Sequence, residues 1–191
     1  MRIAVLLAVC LLVAGCGASQ PAAPDLPAPL GASLLPRLEA RDRDLPRAEL
    51  AADALDRDEL SALLADGGYL GGRERELTGH TETFDHVVVR VLAFAGAAGA
   101  ASYVDWVAAH TLDLAGPTRP LAPLRTGEDA RLHELEPCAT CKKQLPTLLA
   151  VWRRGAAVGY VLAAGRDVDR VTLQPLVRAV DASLASIRPP A

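Results

Sequence analysis

Asparagine is absent from this sequence, and Lys142 and Lys143 are its only lysines beside eighteen arginines. With Ala, Gly and Pro abundant, that bias points to a GC-rich genome of actinobacterial type. An excess of positive charge is also missing, since 20 basic residues against 23 acidic ones leave a formal charge of −3. Nothing electrostatic therefore favours nucleic acid or a polybasic membrane patch. After residue 13 no apolar run approaches the roughly 20 residues of a membrane-spanning helix, and no repeat or coiled-coil heptad occurs. Gly-x-Ser-x-Gly, paired catalytic carboxylates and a nucleophile-base-acid pattern are all lacking, which removes the common hydrolase chemistries. No cofactor is expected.

What is present is concentrated first at the amino terminus. Arg2 supplies a short positive region, Ile3 to Val13 form an apolar run, and Ala14 and Gly15 put small side chains before Cys16. That is the layout of a secretory signal peptide, and a run of roughly 11 to 13 residues is too short for a mature spanning helix. Val13-Ala14-Gly15-Cys16 resembles the lipobox of bacterial lipoproteins, with Val13 in place of the commoner Leu. The resemblance implies that the Cys16 thiol is joined to diacylglycerol and the chain is cut just before it. Residues 1–15 would then be removed as the signal peptide, leaving the protein on the extracytoplasmic face of the cell membrane. Two acyl chains anchor stably where one holds only marginally. The alternative is a plain signal peptide cut further on.

Loss of Arg2 would move the formal charge from −3 to about −4 and leave about 176 residues, enough for one domain plus a tether. Cys10 would leave with the signal peptide and Cys16 would carry lipid. Cys138 and Cys141 would remain as one pair in an oxidising compartment, where such thiols usually form a disulfide.

Residues 16–45 form the expected tether: Pro21, Pro24, Pro27, Pro29 and Pro36 stand among Ala and Ser, with no period that could bury a face. Residues 46–191 are expected to form a single α+β domain. Ala48 to Leu64 has helical spacing, broken or in two pieces, with Asp56 or Asp58 placed to start the second and Gly67-Gly68 to stop it. Arg73 to Leu77, polar on both faces, reads as an edge strand. Phe84 to Phe94 reads as the strongest strand, because Val87, Val88, Val89 and Val91 are β-branched. A helix follows over Ala97 to Leu112, then a proline-marked loop through Pro117, Pro120 and Pro123, then a strand over Arg131 to Glu136.

Thr147 to Ala164 admits two readings. Leu145, Leu148, Leu149 and Trp152 fit a helix capped at Gly155, whereas Leu149 and Val151 followed by Val158, Tyr160 and Leu162 fit two strands joined around Gly155. The hairpin is favoured. Leu173, Leu176, Val177, Val180, Leu184 and Ile187 predict a closing amphipathic helix with Pro175 in its first turn. The order of elements predicts an antiparallel sheet with helices packed on one face or flanking it.

Gly67-Gly68-Tyr69, the Phe84 to Phe94 strand with its small-residue helix, and the Arg153-Arg154-Gly155 segment together resemble uncharacterised lipoproteins of high-GC Gram-positive bacteria. Some of these adopt a PsbP-like αβ sandwich. The resemblance implies location and fold, and no activity.

Four constellations could carry chemistry. Cys138-Ala139-Thr140-Cys141, followed by Lys142 and by Pro146, is similar to thioredoxin-like oxidoreductases. That similarity implies Cys138 as attacking thiolate and Cys141 as resolving thiol, at a helix start that lowers the first thiol's pKa. Pro137 replaces the family's aromatic residue, and no Thr-Pro pair offers the cis-proline, so a structural disulfide is the favoured reading. Cys138, Cys141 and His133 supply at most three metal ligands, and no metal is expected. Gly96-Ala97-Ala98-Gly99 lacks the third glycine of a dinucleotide loop and reads as a small-residue helix start. His86 and Arg90 share a strand face with Phe84, Val88 and Leu92, a face that could cup an anionic or amphiphilic ligand, unless the two simply pair with nearby acids.

The expected protein is thus a lipid-anchored, extracytoplasmic, non-enzymatic domain that binds an envelope ligand or partner. Its alternatives are a thiol-disulfide oxidoreductase and a structural envelope protein without a small ligand.

Overall fold

Two antiparallel meanders meet along one seam. The computed structural model describes residues 26–29, 34–111, 116–136 and 144–187. The first meander is β1 (Glu39–Leu45), β2 (Tyr69–Thr78) and β3 (His86–Phe94), with α1 (Arg47–Ala52) and α2 (Arg57–Asp66) inserted after β1. The helix α3 (Ala97–Ala109) then carries the chain to the far edge. There the second meander begins: β4 (Thr118–Leu121), β5 (Glu128–Leu135), β6 (Thr147–Arg154) and β7 (Ala157–Ala164). The last helix is α4 (Arg170–Leu184). Strands β3 and β7 pair, giving a seven-stranded sheet in the order β1-β2-β3-β7-β6-β5-β4 in which every neighbouring pair is antiparallel.

Helices cover both faces, so this is an α+β fold with an antiparallel sheet between two helical layers. On one face α4 sets Leu173, Leu176, Val177 and Val180 against Val87, Val89, Val161 and Trp152. On the other, α1, α2 and α3 set Leu50, Leu60, Leu64, Tyr103 and Val107 against Leu92, Val151 and Val158. Coverage on both sides explains why β6 and β7 read as near-continuous apolar runs rather than alternating ones. It also explains the ambiguity of Thr147 to Ala164, which is the hairpin: Gly155 turns it at φ +58, a conformation that glycine adopts without steric cost.

Side-chain caps set two of the four helix starts described. Asp56 caps α2 by accepting a hydrogen bond from the Glu59 amide at 3.0 Å. Asp169 and Thr172 form a reciprocal capping box at the start of α4, with bonds of 2.8 and 2.9 Å. That box starts α4 earlier than the apolar period implies, so Pro175 lies inside the helix and not in its first turn. The carbonyl its missing amide would have met belongs to Val171, an exposed residue that water can serve. Gly99 is required for close approach, since a Cβ there would sit 1.9 Å from the Gly67 carbonyl oxygen. The Gly96-to-Gly99 stretch is thus a helix start packed on the end of α2.

Three expectations are corrected. The tether reading of residues 16–45 fails at its end, because Glu39–Leu45 is an edge strand, and Leu26 and Leu38 are buried in the core. The Leu26 carbonyl accepts a hydrogen bond from Arg73 Nη1 at 3.1 Å. Sequence reading missed β1 because cross-strand charges hold it. The Arg73 to Leu77 segment is accordingly not an edge: it lies in β2, between β1 and β3. Finally, the proline-marked loop contains β4, whose Pro120 is tolerated because β4 is the opposite edge.

Candidate functional site

The antiparallel register writes the site directly. Residues 41–44 read Arg-Asp-Arg-Asp and residues 73–76 read Arg-Glu-Arg-Glu. Pairing sets Arg41 opposite Glu76, Asp42 opposite Arg75, Arg43 opposite Glu74 and Asp44 opposite Arg73. Every pair is of opposite charge, and a slip of one residue would set like against like. Asp42 takes both Arg75 Nε and Nη2 at 2.6 Å, and this paired guanidinium holds its carboxyl below the usual aspartate range.

On the face that carries α1–α3, the row through Arg43 continues as Glu74, Arg90 and Tyr160. Glu74 accepts from Arg43 Nε on one oxygen and from Arg90 Nε on the other, both at 2.6 Å. Asp53, at the end of α1, closes the ring: Arg90 Nη2 donates to its Oδ2, and Arg43 Nη2 lies 3.4 Å from the same oxygen. The Arg90 guanidinium also stands over the Tyr160 ring, 5.1 Å from its centroid. Glu74 and Arg90 are buried. Burial pushes the Glu74 carboxyl up, but the hydrogen bond from Arg43 and the charge of Arg90 outweigh it and hold the pKa below the ordinary range. Burial pushes the Tyr160 phenol up, so it stays neutral at physiological pH.

The adjacent row runs Arg41, Glu76, Val88, Leu162. Here the zipper is incomplete. Glu76 Oε1 lies 3.0 Å from His86 Nε2, and Arg41, exposed at the edge, has no ion pair or hydrogen bond among the described residues. Val88 and Leu162 are only half-buried. The two rows together line an open cavity of about 490 Å³, with charges toward β1 and Val88, Leu162 and Tyr160 toward β3 and β7. That volume lies within the range of small-molecule sites.

The two residues singled out from sequence are therefore on one face, and both pair with acids. Arg90 lines the cavity, while His86 sits one row beyond and meets it through Glu76. Phe84 does not share their face: it precedes β3 and packs in the core on the α4 side. Sequence reading missed Arg41, Arg43, Asp53, Glu74, Tyr160 and Leu162. The signal for three of them, Arg41, Arg43 and Glu74, was the complementary period-two pattern at 41–44 and 73–76.

Cys16, Cys138 and Cys141 lie outside the described residues. The thioredoxin-like arrangement needs a helix running on from the CxxC, whereas residues 144–146 are not helical and Thr147–Arg154 is a strand. His133, the third thiol-site neighbour considered, is buried on β5 with Nδ1 3.4 Å from Thr118 Oγ1. Burial, with the charge of Arg131, pushes its pKa down. Among the described residues no group of three His, Cys, Asp or Glu could hold a metal ion.

The fold and cavity thus define an α+β domain with a half-polar cup on one sheet face. No protein-family model matches the chain, and no curated protein matches it. Among solved structures, the extracellular domain of PknH from Mycobacterium tuberculosis is similar at a TM-score of 0.47 and 16% identity, over 76% of this chain and 84% of that one. Nothing about function passes across so distant a likeness.

Proposed function

We propose that this chain is a lipid-anchored extracytoplasmic protein whose domain binds a small envelope ligand in the cup without turning it over. Residues 1–15 act as the signal peptide, Cys16 carries the diacylglyceryl group, and Cys138 and Cys141 form a local disulfide. The lipobox-like Val13-Ala14-Gly15-Cys16 supports the anchoring, and among the described residues no helix is long and apolar enough to cross a membrane.

The observation that carries the binding reading is the cup itself: apolar Val88 and Leu162, and a cation, Arg41, with no partner among the described residues, beside a ring of four paired charges. A purely structural sheet face would be covered or would pair all its charges. Within the lining, Arg43, Arg90, Asp53 and Glu74 are committed to one another. A group locked in such pairs is poorly placed to shuttle protons.

Cell fractionation tests the anchor. Cys16→Ala should move the protein from the membrane fraction to the soluble extracytoplasmic one, and mass spectrometry of the wild type should find a diacylated amino-terminal cysteine. Retention of the variant in the membrane would overturn the anchoring. For binding, native mass spectrometry of the protein purified from its host should show a bound small molecule that Leu162→Asp releases; a ligand-free wild type would count against the cup.

A further inference from the structure

We infer that the cup selects a single-headed anionic amphiphile, a medium-chain carboxylic acid, with its carboxylate on Arg41 and its chain over Val88 and Leu162. This deepens the binding reading above and rests on it.

The head group follows from which charges are already spent. Arg43 and Arg90 each share Glu74 and Asp53, so the charge of both is already matched within the ring, and Arg90 is buried as well. Arg41 stands opposite Glu76, its natural partner in the zipper, yet Glu76 is engaged by His86 at 3.0 Å. Arg41, at the exposed rim of the cavity, is thereby left with no hydrogen bond or ion pair among the described residues. It can compensate one negative charge in a bidentate pair, the geometry that a guanidinium and a carboxylate share. A dianionic phosphate monoester would bring a second charge into the company of Glu76 and Glu74 with nothing to offset it. A cationic head would face Arg41 itself.

The chain follows from the register. Arg41, Glu76, Val88 and Leu162 occupy one cross-strand row over β1, β2, β3 and β7. Three strand spacings of about 4.8 Å put Leu162 about 14 Å from the Arg41 position, the span available to a chain lying across the strands. Val88 and Leu162 are half-buried on an otherwise closely packed face, and covering them removes apolar surface from water at about 25 cal/mol per Å². Tyr160, neutral and held under Arg90, closes the side of the cup away from Glu76.

The test uses the full chain carrying Cys16→Ala, which keeps every residue of the cup. Calorimetric titration with sodium decanoate should show one site, with decanol weaker and decyltrimethylammonium not bound. Arg41→Gln should weaken decanoate about ten- to a hundredfold, the loss expected for a charge-assisted pair, and leave decanol unchanged. Arg41→Lys should keep most of the affinity, while Arg57→Gln, on α2 away from the cup, should keep all of it. Leu162→Asn should weaken decanoate and decanol together. Equal affinity for decanoate and decanol, or decanoate binding indifferent to Arg41→Gln, would overturn the anionic head group while leaving a binding cup. If neither decanoate nor decanol binds, the cup fails as an amphiphile site and this inference fails with it.

Discussion

The β1–β2 pair and the β6–β7 hairpin are both regular antiparallel ladders, yet they are specified by opposite means. In the hairpin, Leu148, Ala150, Trp152, Val158 and Val161 are buried, and Gly155 makes the turn. Packing against helices on both faces decides which residue meets which. In β1 nearly every side chain is exposed, and the register is decided by four opposite-charge pairs whose sign would invert on a one-residue slip. The difference shows that a strand without a hydrophobic period can still be placed uniquely, provided its partner carries the complementary charge sequence.

The largest expected effect breaks the packed side of this comparison. Trp152 is fully buried and its Nε1 donates to Asp181 of α4 at 3.1 Å. Trp152→Ala should therefore cost about 3–5 kcal/mol by chemical denaturation, through cavity formation and a lost bond between β6 and α4. On the charged side, the innermost member is the exception that behaves like core. Glu74→Ala leaves the buried Arg90 with Asp53 alone, and a loss of about 3 kcal/mol is expected. A loss under 1 kcal/mol would show that the ring is no more than surface decoration.

Acid titration sharpens the same point. The Glu74 and Asp42 carboxyls are held below their ordinary range in the folded chain, so their pairing stabilises above the unfolded pKa values of about 4. That contribution is lost as pH falls through the lower, folded values. Stability measured downward from neutral pH should hold until about 4.5 and then decline, and Glu74→Gln should flatten that decline. The smallest effect lies on the edge strand, on the face away from the cup: Asp42→Ala removes a pair that is partly exposed and should cost within about 1 kcal/mol, diminishing with added salt.

Where packing organises the chain, sequence reading recovered it. The β-branched run in β3, the Asp56 cap of α2 and the apolar period of α4 each state their structure locally, and the α+β class with an antiparallel sheet follows from their order. The hairpin, favoured over a helix from the sequence, still admits both readings for a physical reason: burial on both faces erases the alternation that marks a strand. β1 and β4 were lost because one is charged on both faces and the other carries Pro120. The site was less legible than the fold. Arg90 was found because it interrupts an apolar strand, but its partners Glu74 and Asp53 are 16 and 37 residues away, and only the register unites them. That Arg41 has no partner among the described residues shows only once Glu76 is seen to face His86.

The burial of Leu26 in the core shortens the leash. With lipid on Cys16 as proposed, only residues 17–25 separate the bilayer from the folded unit, a reach of about 35 Å even when fully stretched. The domain would then ride within one molecular diameter of the leaflet rather than sample the wall at large. A single-tailed acid escaping the lipid would meet the cup after a very short diffusion.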